Sequence, residues 1–137
     1  MSLRSKLRSY RLARFLIVVT FLFSFAGSTY AASEVISAKN AELKWGIKDL
    51  DKNLFKSGDL SQRAAMAVDI VKRSLYVGKS RKNVRRELGD PDSYFFSDTI
   101  YAYKIMPFPG RGKENWHLVF IPDDNLENVK EVRIQKK

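Results

Sequence analysis

Few side chains in this 137-residue chain have a type and setting suited to covalent chemistry. His117 is the single histidine, so a serine–histidine relay or a multi-histidine zinc site would have to use it. It lies in a dense apolar run with no acid beside it, a setting that favours a structural or surface histidine. Cysteine is absent, which excludes a disulfide framework, a thiolate metal site, a thiol nucleophile and lipidation through an N-terminal cysteine. Gly78-Lys79-Ser80 matches only the end of a phosphate-binding loop, because the first glycine of that pattern falls at position 73, where Arg73 stands. Asp90 and Asp92 flank Pro91, and Asp123 and Asp124 sit in a turn; turns favour these residue types, and the spacing fits no calcium loop. No catalytic residue, metal or cofactor is expected.

Recognition is the chemistry that remains. Lys72, Arg73, Lys79, Arg81, Lys82, Arg85 and Arg86 follow one another with no acid among them. Such a run suits phosphate, an anionic lipid surface or an acidic protein, with a solvated helix face as the plainer reading. Arg81, Lys82, Arg85 and Arg86 are the candidate anion or lipid contacts. The loop over residues 107–113 adds Phe108 and Arg111, suited to a partner groove or a membrane surface. Tyr101, Tyr103 and Trp116 are candidate partner contacts if their sheet face is open, although a stable core would want the same rings. Arg63, Met66 and Asp69 recur every three residues; either they are solvated, or one bonds the strand backbone or the loop before Gly78 and fixes how the helices seat.

The elements that must position these groups are readable in part. Asp59 with Gln62 three residues on starts a helix whose apolar stripe, Leu60, Ala64, Ala67, Val68, Val71 and Leu75, runs until Gly78 ends it. Ser80 is an N-cap with Asn83 three residues later, and Val84 and Leu88 share one face of a second, short helix. Gly89 can turn left-handed and Pro91 forbids continuation. The period then changes to two, with strands expected at 94–96, 99–106, 115–121 and 129–135. Loops at Ser97-Asp98, 107–113 and 122–125 join them as an antiparallel meander, giving an α+β fold of two N-terminal helices packed on a three- to four-stranded sheet.

Both sheet faces are apolar: Tyr101, Tyr103, Ile105, Trp116, Leu118 and Phe120 on one, Ile100, Ala102, Met106, His117, Val119 and Ile121 on the other. The second face therefore receives another piece of chain or a partner. The available piece is residues 33–57, a loosely attached amphipathic segment carrying Trp45, Leu50 and Phe55.

Residues 1–31 join a basic stretch, an apolar run over residues 15–27 and a small-residue end at Thr29 and Ala31, the pattern of a secretory signal cleaved after Ala31. The run falls short of the roughly 20 residues of a membrane span, with an uncleaved anchor from Leu12 as the alternative. That segment holds five basic residues and no acid; taking five from the 25 Lys and Arg leaves 20 against 15 acids, so the formal charge falls from +10 to +5. An exported chain gives no reason to expect a nucleic-acid partner, and the remainder is one small domain.

The string at residues 78–92, G-K-S-R-K-N-V-R-R-E-L-G-D-P-D, with R-A-A-M-A-V-D at 63–69, the strand at 99–105 and K-E-V-R-I at 130–134, resembles the SmpA/OmlA, or BamE-like, domain of bacterial envelope proteins over residues 59–135. The resemblance implies two helices on a three-stranded meander and no catalysis. It further implies a supporting role in outer-membrane protein assembly, with contacts to envelope proteins and anionic phospholipid in or near the periplasm. The lipidated cysteine of the best-known members is missing here. Secreted inhibitors of β-lactamases use the same kind of unit, so binding and inhibition of a periplasmic enzyme is a second expectation, and a structural lipid-binding role a third.

Overall fold

The computed structural model describes residues 33–57, 59–95, 97–105 and 115–136. The signal expected at 1–31, and Phe108 and Arg111 in the loop at 107–113, lie outside the described residues. The described chain runs β1 (Val35–Ile36), α1 (Ala38–Trp45), α2 (Lys52–Ser57), α3 (Leu60–Lys72), α4 (Arg81–Leu88), β2 (Ser93–Phe95), β3 (Ser97–Ile105), β4 (Trp116–Pro122) and β5 (Val129–Lys136). Among the described residues no helix is long and apolar enough to cross a membrane.

The fold is α+β, and it is larger than the two helices and three to four strands expected from sequence. The sheet has five antiparallel strands in the order β1-β5-β4-β3-β2. Its extra strand, β1, pairs Val35 with Gln135 and Ile36 with Ile134. Tyr103 stands opposite Leu118 and Ile105 opposite Trp116, while Leu118 and Phe120 face Ile134 and Val132. That register collects these side chains on one face, and the helices cover it.

Local signals explain the helix ends. The Ser37, Asp59 and Ser80 side chains accept from the amides of Asn40, Ser61 and Asn83, so α1, α3 and α4 each begin on a cap. Gly89 closes α4 at φ 87, with its amide on the Arg85 carbonyl. α3 ends at Lys72, ahead of the stop expected at Gly78, because Ser74 turns left-handed at φ 50. The turn brings Tyr76 into the core, its ring 5.8 Å from Phe120 and its hydroxyl donating to Glu87.

Residues 33–57 do not cross the second sheet face. Trp45, Leu50 and Phe55 join the core under the helices, where Trp45 meets Trp116 edge-on at 5.5 Å and Phe55 meets Tyr103 at 5.5 Å. Phe55 is wholly buried, so this segment is part of the packed body; burying a ring of this kind is worth about 1.5–3 kcal/mol. The second face holds its own small cluster of Phe95, Ala102 and Val119, flanked by Ile100 and Ile121. Buried Gln135 on β5 donates to the Ser33 hydroxyl and accepts from Arg133.

α3 is enclosed between the sheet and the first two helices, which decides the fate of its polar residues. Arg63 is 5% exposed and Asp69 is 1% exposed. Arg63 donates to the Phe55 carbonyl, the Asp92 carboxylate and, at 3.4 Å, the Lys104 carbonyl of β3. Asp69 accepts from the Leu50 amide and from Arg73. Arg63 therefore ties α3 to the β3 backbone, as the second of the two sequence readings had it, while Asp69 fastens the helix to the segment between α1 and α2.

Candidate functional site

Gly78-Lys79-Ser80 has a structural role. At φ 80, Gly78 donates its amide to the Val129 carbonyl; Val129 returns a bond to the Lys79 carbonyl, Ser80 bridges Asn128, and the Arg81 amide bonds the Glu127 carbonyl. This short pairing pins the start of α4 beside the turn between β4 and β5. The turn is held by Asp123, whose carboxylate accepts from the amides of Glu127 and Asn128. Partial burial pushes the Asp123 carboxyl up, but the Asn128 and Glu127 amides outweigh it and leave it below its ordinary range.

Between α4, the turn and β3 lies a groove of about 520 Å³ lined by Arg81, Lys82, Arg85, Tyr101, Leu126 and Glu127 among others. Arg81 lies across its floor: Nη1 donates to the Leu126 carbonyl at 2.9 Å, Nη2 to the Thr99 carbonyl at 2.5 Å, and the guanidinium sits 4.1 Å from the Tyr101 ring centroid. Stacking of this kind is worth about 0.5–2 kcal/mol and fixes the plane of the cation. Arg85 reaches the same ring at 6.0 Å while bonding Asp90. Its charged form is favoured first by the Asp90 bond and then by Tyr101. Tyr94, across the β2–β3 pair, packs edge-on to Tyr101 at 6.5 Å and stays 46% exposed.

The structure separates the residues singled out from sequence. Arg81, Lys82 and Arg85 converge on the groove with Tyr101; Arg86 points elsewhere, highly exposed and 3.9 Å from Glu87. Tyr103 and Trp116 are corrected as partner contacts, because their sheet face lies beneath the helices and leaves them 0% and 2% exposed. Tyr103 instead donates its hydroxyl to the Gly89 carbonyl, tying β3 to the end of α4. His117 is 2% exposed, with Nδ1 3.0 Å from the Asn115 carbonyl and its ring against Phe95. Among the described residues no cluster of three or more His, Asp or Glu side chains is arranged to hold a metal ion. Sequence reasoning missed Leu126 and Glu127, whose neighbourhood the expected turn at 122–125 marked without its approach to α4, and Tyr94, which reaches the site only through Tyr101.

No protein family, characterised protein or solved structure matches this chain on comparison.

Proposed function

We propose that this chain is a non-enzymatic interaction module of the bacterial envelope, of the BamE-like kind, whose contact surface is the groove beside α4. The observation that carries this reading is Arg81: a cation held rigidly by two carbonyls and an aromatic face, with Lys82 and Arg85 beside it. Fixed, clustered positive charge of this sort is suited to recognising an anionic partner at low ordering cost. The quoted motif is compatible with the family reading, and several of its positions have a local purpose. Ser80 caps α4, Gly89 ends it, and Asp92 ties β3 and α3 together. In this view α3 and α4 over β3, β4 and β5 form the two-helix, three-stranded unit of that family, and β1, α1, α2 and β2 extend it.

Affinity capture from an envelope extract tests the reading, with the full chain set beside a Lys82→Ser, Arg85→Ser variant checked for folding by circular dichroism. The expected result is a protein retained by the wild type and lost by the variant. The same proteins on both columns, or none on either, would sink the groove as the contact surface.

A further inference from the structure

We infer that the groove beside α4 receives one carboxylate side chain carried on a partner polypeptide, with an apolar or aromatic neighbour of that residue lying against Tyr101 and Leu126. This rests on the interaction-module reading above and gives it a ligand class.

Charge pairing is the first argument. Arg63, Lys72, Arg73 and Arg85 have Asp92, Glu42, Asp69 and Asp90 within ion-pair distance, and Arg86 and Lys52 share Glu87. Arg81 and Lys82, side by side at the groove, have no acidic partner among the described residues. Arg81 spends two of its five N–H donors on carbonyls, which fix it without neutralising it. A cation already ordered by its own protein loses little side-chain entropy when an anion arrives.

The groove's other walls select among anions. Arg81, Lys82 and Arg85 bring three positive charges to the groove, while Glu127 in its lining and Asp90 on Arg85 bring two negative ones, and the single positive charge left over suits a singly charged carboxylate better than a dianionic phosphate. About 520 Å³ in a recess between a helix and a turn takes one or two side chains. The apolar rim gives a following residue somewhere to lie: Leu126 is 45% exposed at φ 58, and Tyr94 is 46% exposed beside Tyr101. Aromatic anchors beside an arginine are the composition of binding hot spots.

The probe is a fluorescein-labelled hexapeptide, Gly-Ser-Glu-Phe-Ser-Gly, titrated with the full chain and read by anisotropy, beside a twin with Gln for Glu. Loss of one charge-assisted contact predicts binding of the Gln twin about tenfold weaker, and a similar loss for the Lys82→Glu protein with Lys82→Arg retaining affinity. Lys82 bonds no described residue, so an unchanged circular dichroism spectrum is expected for either variant. Equal affinity of the two peptides, indifference to Lys82→Glu, or no binding of the Glu peptide would each overturn the proposal. Two further arms assign the alternatives: tight binding of inorganic phosphate without the Glu peptide would mark a free-anion site. Sedimentation with phosphatidylglycerol vesicles, lost in Lys82→Glu while the peptide fails, would mark a membrane contact, and both results count against it. Failure here with envelope partners still captured by the wild type and lost by the groove variant leaves the interaction module standing with another ligand class, whereas failure of capture removes the broader reading.

Discussion

Arg63 and Asp92, 29 residues apart, form an ion pair whose arginine is almost wholly enclosed. Through it the long helix, the chain after α4 and the sheet are joined at one point. Asp92 accepts the Lys104 amide with its other oxygen, and Arg63 also bonds the Phe55 carbonyl while lying 4.9 Å from the Phe55 ring centroid. The pair orients elements that apolar packing alone would leave free to slide.

Asp92→Asn should therefore cost about 3–5 kcal/mol, since its one amide oxygen keeps the Lys104 bond, its NH2 meets Arg63, and the enclosed guanidinium loses its counter-charge. Arg63→Ala strands the Phe55 carbonyl but leaves the Asp92 carboxylate, 38% exposed, within reach of water, so about 1–3 kcal/mol is expected. Urea denaturation followed by circular dichroism measures both; a smaller loss for Asp92→Asn than for Arg63→Ala would show that the enclosed cation does not depend on its counter-charge.

How much of this was legible follows from which residues act locally. Ser80, Asn83 and Gly89 define α4 within one short window, and Asp59 does the same for α3, so those ends are visible in the sequence. β1 was not visible, because Val35 and Ile36 acquire their strand only by meeting Gln135 and Ile134 at the far end of the chain. The side of the sheet that the helices cover was undecidable too: β3 and β4 are apolar on both faces, and nothing local assigns Trp45 and Phe55 to the side of Trp116 and Tyr103. Of the site, the cations were readable as a run, but the Arg81–Tyr101 stack was not, since it depends on the pairing of Lys79 with Val129 across the fold.

Asp69 gives the molecule a defined acid sensitivity. Its bond from Arg73 holds the carboxyl below its ordinary 3.8 against the upward push of burial, and the Leu50 amide adds to the effect. A carboxyl lowered in the folded state contributes stability above its unfolded value and loses that contribution as the pH falls through its folded value. Glu87, lowered first by Lys52, acts in the same sense from an ordinary value of 4.5. Stability should therefore fall progressively below about pH 5. Asp69→Asn should cost about 1–3 kcal/mol at neutral pH and flatten part of that fall. Urea midpoints measured across the acid range check this, and an undiminished slope in the variant would contradict it.

Arg81→Lys tests whether the groove's floor depends on the guanidinium fork. Lysine keeps the charge but can reach only one of the Thr99 and Leu126 carbonyls and has no plane to lay on Tyr101. A loss of about 1–2 kcal/mol is expected, and a double-mutant cycle with Tyr101→Leu should show a coupling of about 0.5–1 kcal/mol. Additive single and double variants would mean that the stack contributes nothing.

The buried phenols set the alkaline limit. Burial pushes Tyr76 well above its ordinary 10.0, and the bond to Glu87 adds to it; burial likewise raises Tyr103, followed by the negative charges of Asp92 and Asp90. A group whose folded value is raised leaves stability intact below its unfolded value and withdraws it as the pH climbs above that value, so the fold should weaken from about pH 10 upward. Phenolate absorbance should then rise in two stages, the second coinciding with loss of the circular dichroism signal. Tyr103→Phe should shrink the second stage and leave the first unchanged, because the ring it replaces cannot ionise until the helices lift from β3. A shrunken first stage would mean that water reaches the Tyr103 hydroxyl in the folded protein, in conflict with its bond to the Gly89 carbonyl.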